Sequence, residues 1–519
     1  MSSKKQTRRE FLATGTAALG ALSLGKSIMA RSTSFQDVHP ELNEVTIAEL
    51  QAKMRSGELS AVKLVEMYTA RIKEIDPKIR SVLEINPDAG GIAARMDKER
   101  KRGKVRSAMH GIPVLIKDNI DTKDKMKTTA GSLALMDAPV PAEDAFIVKQ
   151  LREAGAVILG KTNLSEWANF RSTKSISGWS GRGGQTNNPY ILDKNPCGSS
   201  AGTGVAISAN LGAVGIGTET NGSIICPSVR NGLVGIKPTL GLVSRSGIIP
   251  IAHTQDTAGP MARTVADAAA LLSVMIGEDK KDAVTAGSKK WRKDHSAYLD
   301  KNGLKNARLG VARQFIDGKS KSGQLAEKQL EILKDLGAIL IDVEFPVLQN
   351  AGDLRLEVLL YEFKTDLNKY LAGRKAQYKT LADLIKFNDD NKEKEMPLFA
   401  QELFLQAEAK GPLTDEAYLK ALQTIKKLTR DDGIDAVTEK HKLDAIVSPT
   451  TGQTWAIAAV AGYPYITVPS GFIDGLPAGF AFFGKAFTEP ALIKFAYAYE
   501  QATKARQSPK FLPALTNTV

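Results

Sequence analysis

The sequence predicts an α/β layer fold in which both ends of the chain contribute strands to one domain. From about residue 110, short apolar runs with strand character alternate with stretches of helical periodicity. A second group of strand-like runs follows residue 440, and a charged helical stretch separates the two groups. The chain has 519 residues, of which 43% are hydrophobic and 24% are charged. This balance supplies a large core and excludes a disordered protein.

Two helices are predicted before the main α/β region begins. Thr46 and Ser60 each precede a run with apolar side chains at helical spacing, and a hydroxyl residue at that position caps a helix. Residues 110–265 are predicted to form the α/β heart and catalytic core. Its strands are expected at Ile112–Ile116, Ala156–Leu159 and Ala213–Ile216, and its helices at Ala145–Glu153 and Ala201–Asn210.

Residues 285–440 are predicted to be a helical elaboration of this core. They are rich in Lys, Glu and Asp, and strands are expected again after them. Strands on both sides of a helical insertion favour one sheet and therefore one domain. The elaboration should contain helices at Gln324–Leu336, Leu354–Leu371 and Asp415–Leu428, followed by strands at Ala445–Val447, Tyr465–Val468 and Ala478–Phe483 and a helix around Leu492–Thr503.

Residues 1–30 have the pattern of an export signal. A basic segment with Arg8 and Arg9 precedes a mildly apolar stretch, and Lys26 lies near its small-residue end. The arginine pair followed by Glu-Phe-Leu is typical of the twin-arginine signal. We therefore expect export through the twin-arginine translocon, a periplasmic or secreted location, and a mature domain that comprises residues 31–519.

Composition excludes several classes of function. The body of the chain has no apolar run of the roughly 18 residues that a spanning helix needs, so stable membrane insertion is not expected. The net charge of +13 is spread among acidic residues without the aromatic interleaving of a nucleic-acid groove. Five histidines lack metal-ligand spacing and two cysteines cannot build a thiolate site, so no metal or other cofactor is expected. The sequence leaves open whether Cys197 and Cys226 pair after export.

Two familiar motifs occur in the wrong context. Gly155–Thr162 matches the phosphate-loop pattern, but its four spacer residues are Ala, Val, Ile and Leu, which themselves form a predicted strand. Gly198–Gly202 matches the nucleophile elbow G-x-S-x-G and would make Ser200 the nucleophile. No apolar strand precedes it, because residues 187–196 contain two prolines and three asparagines. Nucleotide binding is rejected, and the elbow is kept as a minor alternative.

Three segments of the core together predict a hydrolytic site. Lys117 ends an apolar strand, Ser199 is the first serine of Cys-Gly-Ser-Ser-Ala-Gly, and Ser223 ends Gly-Thr-Glu-Thr-Asn-Gly-Ser. A serine attacks an amide only with a base beside it, and a lysine kept neutral by an apolar setting can be that base. A second serine can relay the proton, since its hydroxyl both donates and accepts.

These segments resemble the amidase signature family of serine amidohydrolases. The resemblance covers roughly residues 45–510 and includes Gln-Asp-Thr-Ala-Gly-Pro at 255–260. It implies a Ser–Ser–Lys triad of Lys117, Ser199 and Ser223, with the acyl-enzyme formed on Ser223. It also implies the family's fold, a single α/β/α domain around a large mixed β-sheet.

The turn that ends at Ser223 is predicted to bind the oxyanion of the tetrahedral intermediate. The backbone N–H groups of Thr220, Asn221 and Gly222 can converge there, because Gly222 permits unusual φ angles. The resemblance implies that the loop Trp167–Ser177 lines the substrate pocket and that the carbonyl of Ala168 faces the nucleophile. The remaining predicted supports of the site are Ser200, Thr218 and Glu219. Ser200 is expected to hydrogen-bond the backbone near the turn and to cap the helix that follows it.

The sequence as a whole predicts an exported serine amidase that converts a carboxylic amide to an acid and ammonia. The Glu-Thr-x-Gly-Ser form of the turn and the long loop at 163–189 resemble bacterial peptide amidases within the family. Small-molecule or peptide amides, C-terminal peptide amides among them, are therefore the expected substrates. Two alternatives stay open: a subunit like those of tRNA-dependent amidotransferases, and a periplasmic binding protein without activity.

Overall fold

The structure, a computed structural model, describes residues 38–346 and 351–514. The predicted export signal at residues 1–30 lies outside the described residues. In the described part of the chain, eleven strands form one sheet and two short strands pair separately. The strands are β1 (Val82–Ile85), β2 (Pro113–Lys117), β3 (Val157–Thr162), β4 (Trp179–Ser180), β5 (Gly184–Gln185), β6 (Val214–Glu219), β7 (Val234–Lys237), β8 (Thr257–Ala262), β9 (Arg308–Ala312), β10 (Ile339–Val343), β11 (Ala445–Pro449), β12 (Tyr465–Ile473) and β13 (Leu476–Phe483).

The first two helices begin at the hydroxyl residues that the sequence marks as caps. Thr46 forms a capping box with Glu49, and the Ser60 hydroxyl accepts from the Lys63 N–H at 3.1 Å. Among the described residues, no helix is both long and apolar enough to cross a membrane. The helices are α1 (Ile47–Ser56), α2 (Ala61–Ile79), α3 (Ala89–Lys101), α4 (Phe146–Glu153), α5 (Ala201–Ser208), α6 (Ile225–Arg230), α7 (Val265–Met275), α8 (Lys321–Asp335), α9 (Ala351–Gly373), α10 (Leu381–Asp390), α11 (Lys392–Glu395), α12 (Glu402–Glu408), α13 (Glu416–Lys426), α14 (Ala436–His441), α15 (Gly452–Ala461) and α16 (Glu489–Thr503).

The large sheet is mixed and takes strands from both ends of the chain. Its order is β1-β3-β2-β6-β8-β7-β12-β13-β11-β9-β10. β2 is parallel to β3 and β6, and β9 is parallel to β10 and β11. The other neighbouring strands are antiparallel, including the β7–β12 pair that joins the early strands to the late ones. The predicted α/β fold around a large mixed sheet is confirmed.

The stretch predicted as a helical elaboration, residues 285–440, is not helical throughout. It contributes β9 and β10, which form one edge of the large sheet. Both strands carry a weak strand signal: β9 contains Gly310, and β10 is an edge strand with Ile339 and Asp342 exposed. The predicted helices of this stretch are present as α8, α9 and α13.

The candidate site residues lie at one edge of the sheet. This edge is the one formed by the carboxyl ends of β2 and β6, and it is distinct from the outermost strand β10. The register places Ile116 of β2 opposite Ile216 of β6, so Lys117 at the end of β2 lies beside Thr218. β8 runs in the opposite direction to β6 and begins at the same edge. The segments that follow β2 and β6 therefore meet the segment that precedes β8. In open α/β sheets this edge, at the carboxyl ends of parallel strands, is where ligands bind.

Candidate active site

Lys117 is fully buried and contacts hydroxyl groups. Its Nζ lies 2.7 Å from Ser199 Oγ, 2.9 Å from Thr218 Oγ1 and 3.3 Å from the Thr218 carbonyl oxygen. Burial lowers the pKa of Lys117 to about 7, because desolvation disfavours the ammonium form. The negative charges of Asp256 and Glu219 oppose this effect by raising the pKa. Near neutral pH the amine is therefore divided between its charged and neutral forms.

The two adjacent serines at the start of α5 have different partners. Ser199 Oγ accepts from Lys117 Nζ, and the Ser199 carbonyl accepts from the Ser165 N–H at 3.0 Å. Ser200 Oγ donates to the Thr218 carbonyl at 3.0 Å and accepts from the Thr218 N–H at 3.1 Å. The Ser200 hydroxyl is thus held by the backbone of β6, which leaves α5 without a side-chain cap. The helix-capping part of the Ser200 prediction is therefore wrong.

Ser223 lies in the turn between β6 and α6 and is 9% exposed, whereas Lys117 and Ser199 are fully buried. Its carbonyl accepts from the Ser200 N–H at 3.1 Å, which ties the turn to the start of α5. Gly222 has a φ of +80°, and a Cβ at this position would collide with the Trp455 indole. The turn therefore requires glycine for both its backbone conformation and its packing.

The Glu219 carboxylate stabilises the far side of this turn. Its Oε2 accepts from the Ile224 N–H at 2.7 Å and from the Ile225 N–H at 2.9 Å, at the start of α6. Burial raises the pKa of Glu219, and the positive charge of Lys237 opposes this shift. Glu219, which is predicted to support the site, therefore fixes the backbone that follows Ser223.

Thr220 at the near side of the turn binds a carboxylate for which sequence analysis predicts no role. The Thr220 hydroxyl donates to Asp256 Oδ1 at 2.5 Å. Asp256 Oδ2 accepts from the N–H groups of Ile251 at 2.8 Å and Ala252 at 2.9 Å. Burial raises the pKa of Asp256 to about 6. Its presence in the Gln-Asp-Thr-Ala-Gly-Pro segment is the one sequence signal that marks this residue.

Ala168 belongs to three consecutive residues with an unusual backbone. Trp167, Ala168 and Asn169 have φ angles of 47°, 55° and 68°, in the left-handed region that non-glycine residues rarely adopt. Hydrogen bonds hold them there: Trp167 N–H donates to the Ala130 carbonyl at 2.9 Å, and Ala168 N–H to the Ser165 carbonyl at 2.8 Å. Within the loop predicted to line the substrate pocket, Ala168 does line the cavity described next. Such strain is typical of functional segments.

A cavity of about 600 Å³ opens at this edge of the sheet. Its lining includes Asn119, Ala168 and Thr218–Thr220, together with Ile248–Ile251 and Tyr370 of α9. Lys117, Ser199 and Ser223 are not among the lining residues, and all three side chains are buried. The volume is within the range of pockets that bind small organic ligands.

His253, Glu362 and Asp366 bring atoms of metal-ligating types within 4.8 Å of one another, the one such group among the residues described. These atoms already have protein partners. Asp366 Oδ2 accepts from the His253 N–H at 3.0 Å and lies 2.8 Å from His253 Nδ1. The Glu362 carboxylate accepts from the Thr254 N–H and hydroxyl, both at 3.0 Å, and from the Tyr418 hydroxyl at 2.8 Å. The group is therefore explained as a clamp between α9 and the segment before β8, and the absence of a metal stays a sequence prediction.

Cys197 and Cys226 form a disulfide, with their Cα atoms 5.6 Å apart. The bond joins the segment just before Ser199 to α6, just after Ser223. The sequence leaves this pairing open, because the distance between two cysteines in space is not visible from their separation along the chain.

A mixed α/β sheet whose edge carries a buried lysine beside a serine and a threonine hydroxyl defines a candidate hydrolase. The family model described as Amidase matches residues 63–456. A probable amidase of Arabidopsis thaliana is 42% identical over 503 residues, which cover 95% of each chain. The chain belongs to the amidase family, the amidase signature family that its motifs resemble, and it is an amidase. The alternative of a binding protein without activity is therefore set aside.

Solved structures agree with this membership. The native peptide amidase of Stenotrophomonas maltophilia is 49% identical with a TM-score of 0.87, over 90% of this chain and 99% of that one. An amidase family protein from Bacillus anthracis is 40% identical with a TM-score of 0.85, over 91% and 93%. Among curated relatives, a glutamyl-tRNA(Gln) amidotransferase subunit of Thermoanaerobacter pseudethanolicus is 32% identical, over 91% of this chain and 99% of that protein.

Proposed function

We propose that this amidase hydrolyses C-terminal amides of peptides to the free acid and ammonia, through an acyl-enzyme on Ser223. The observation that carries the proposal is the 2.7 Å contact between Lys117 Nζ and Ser199 Oγ in a fully buried setting. A lysine with a pKa of about 7 has a neutral fraction that can accept a proton near neutral pH. The 49% identity to a peptide amidase supports the choice of substrate.

In the proposed reaction, Ser223 Oγ attacks the amide carbon and its proton passes to Ser199 Oγ, while the Ser199 proton passes to Lys117 Nζ. The negative charge on the carbonyl oxygen is received by backbone N–H groups of the turn at Thr220–Ser223. The proton then returns through Ser199 to the leaving nitrogen, the C–N bond breaks and ammonia departs. A water molecule hydrolyses the acyl ester with the same relay, which restores Ser223.

A fluorophosphonate probe distinguishes the serine assignments. Ser223→Ala should abolish both labelling and turnover, because the nucleophile is missing. Ser199→Ala should retain slow labelling but lose most turnover, because the relay to Lys117 is broken. Ser200→Ala should have the mildest effect of the three. An adduct mapped to Ser200, with labelling retained in Ser223→Ala, would contradict the assignment and favour the elbow.

The likeness to a component of an amidotransferase makes the alternative function testable with the same protein. We expect the purified chain alone to release ammonia from a dipeptide amide, and neither a chelator nor a nucleotide to change the rate. Ammonia release that required a second protein together with charged tRNA would instead assign the chain to the amidotransferase class. A panel of amino-acid, peptide, fatty and aryl amides would then rank the acyl groups by kcat/KM.

We also propose that the protein is exported through the twin-arginine translocon to the periplasm or beyond. The support is the sequence pattern around Arg8 and Arg9 within residues 1–30. Replacement of both arginines by lysine should leave a full-length precursor in the cytoplasm. Processed protein in the periplasm of cells that lack this translocon would show that the route is a different one.

A further inference from the structure

The segment between residues 251 and 257, here called the Asp256 loop, connects helix α9 to the oxyanion turn. Two carboxylates of α9 hold the loop. Glu362 accepts from the Thr254 N–H and hydroxyl, both at 3.0 Å, and Asp366 accepts from the His253 N–H at 3.0 Å. The loop then enters β8, which pairs with β6 immediately before the turn. Its position relative to the turn is therefore fixed at both ends.

Within the loop, the Asp256 carboxylate is fixed in direction. Its Oδ2 accepts from two backbone N–H groups of the loop, those of Ile251 and Ala252. This leaves Oδ1 aimed at the turn, where it accepts from the Thr220 hydroxyl at 2.5 Å. Hydrogen bonds to a carboxylate are stronger than those between neutral groups. Thr220, the first residue of the predicted oxyanion turn, is therefore held by a carboxylate, which binds its hydroxyl more strongly than a neutral acceptor would.

The Asp256 carboxylate accepts from neutral donors. Among the described residues, no lysine, arginine or histidine forms an ion pair with Asp256, and Arg245 nearby is paired with Asp282. The remaining charged groups around it are Lys117 and Glu219 at the ends of β2 and β6, and the His253–Asp366 pair between the loop and α9. Lys117 Nζ contacts Thr218 Oγ1, and Asp256 Oδ1 contacts the hydroxyl of Thr220, two residues further along the same segment. The negative charge of Asp256 raises the pKa of Lys117.

We propose that Asp256 is a positioning residue for amide hydrolysis: it fixes Thr220 at the start of the oxyanion turn, and its negative charge acts on the Lys117 amine. This inference rests on the proposed role of Lys117 as the base. When Asp256 is ionised, it favours the ammonium form of Lys117. When its charge is removed, Lys117 should give up its proton at lower pH.

The test is the pH profile of kcat/KM for Asp256→Asn with a dipeptide amide. The acid limb should move to lower pH by about half a unit to one unit, because one nearby negative charge is lost. At the pH optimum kcat should fall about 10- to 100-fold, since the turn loses its fixed acceptor, and KM should change little. An acid limb that coincides with that of the wild-type enzyme would overturn the proposal.

Asp267→Asn is the matched control. Asp267 at the start of α7 is buried, whereas Asp256 is half-buried, but like Asp256 it has a pKa raised to about 6 by burial and accepts from a backbone N–H, that of Ile47, at 2.9 Å. It does not line the cavity. Both variants should lower Tm, but the acid limb should move in Asp256→Asn alone. Equal pH profiles in the two variants would reduce Asp256 to a structural role.

Thr220→Val tests the same contact if Asp256→Asn does not fold. Valine keeps the shape of threonine and removes the hydroxyl that Asp256 accepts from. We expect kcat to fall about tenfold with little change in KM. An unchanged kcat would contradict the proposal. A wild-type enzyme that releases no ammonia from any amide would instead overturn the proposed function, so the two failures are distinguishable.

Discussion

Lys117 and Lys161 are both fully buried, and they lie on the neighbouring parallel strands β2 and β3. The register pairs Lys117 with Thr162, so Lys161 projects from the opposite face of the sheet. Lys161 Nζ donates to the Ile120 carbonyl and, at 2.9 Å, to Thr128 Oγ1. Lys117 also contacts a threonine hydroxyl at 2.9 Å, but it lies against Ser199 as well. The two amines are thus similar in burial and in hydrogen bonding.

The two lysines differ in the charges that surround them. Burial lowers the pKa of Lys161, and three carboxylates, those of Asp118, Asp121 and Asp124, oppose this shift. At Lys117 the opposing carboxylates are Asp256 and Glu219, and its pKa is about 7. Three carboxylates thus act on the Lys161 amine and two on the Lys117 amine, and of these two lysines Lys117 is the one that contacts a serine hydroxyl. Burial is common to both lysines, so the neighbouring Ser199 separates the predicted base from Lys161.

The largest expected effect is that of Lys117→Met. We expect kcat/KM to fall about 10²- to 10⁴-fold, the usual contribution of a general base, as measured by ammonia release. Thermal unfolding should show little loss of Tm, because removal of a buried amine whose charged form is desolvated offsets the loss of its hydrogen bonds. Activity within tenfold of the wild type would contradict the assignment of the base. A large fall in Tm would contradict the contrast with Lys161.

The pH dependence should show the same contrast. Because the neutral amine is the reactive form, kcat/KM should rise with pH through a midpoint near 7 and fall about tenfold per unit below it.

The stability of the protein should also rise with pH. The Lys117 pKa is about 7 in the folded state against 10.5 for an ordinary lysine, so the unfolded chain binds more protons between these values. The wild type should therefore lose stability relative to Lys117→Met as the pH falls from about 10 to 7, which denaturant unfolding at several pH values measures.

Lys161→Met should show the opposite behaviour. The variant removes the donor to two buried acceptors, the Ile120 carbonyl and Thr128 Oγ1, together with an amine on which three carboxylates act favourably, and it should cost about 1 to 3 kcal/mol. The folded fraction should keep kcat within several-fold of the wild type, since Lys161 lies on the other face of β3. Urea unfolding and active-site titration measure the two quantities separately. A stable variant with a thousandfold loss of kcat would show that Lys161, too, acts in catalysis.

The sequence predicts the Lys117 site better than its surroundings, for physical reasons. Lys117, Ser199 and Ser223 lie in segments whose glycines and prolines mark tight turns at fixed spacing, and the structure brings the lysine to the first serine. The spacer residues of the phosphate-loop motif around Lys161 lie in β3 as predicted, apart from Ala156. The Asp256–Thr220 contact could not be predicted from spacing, since it spans strands that pair only in the folded sheet. The strands β9 and β10 are not predicted, because β9 is short and contains Gly310, and because β10, the edge strand, is partly exposed and lacks a regular alternation of buried and exposed residues.

The smallest expected effects come from two threonines that form the same bond to the two lysines. Thr218 Oγ1 lies 2.9 Å from Lys117 Nζ, and Thr128 Oγ1 lies 2.9 Å from Lys161 Nζ. Replacement of either by valine keeps the shape, removes one acceptor, and should cost about 1 to 2 kcal/mol of stability. Only Thr218→Val should also lower kcat/KM, by about tenfold, because its hydroxyl orients the amine toward Ser199 and accepts from Asn119 Nδ2 at 2.9 Å as well. Thr128→Val should leave kcat/KM unchanged, because Lys161 takes no part in the proposed proton transfer. Equal losses of kcat/KM in the two variants would mean that each hydroxyl affects the rate only by stabilising the fold. The Thr218 hydroxyl would then have no part in orienting the Lys117 amine.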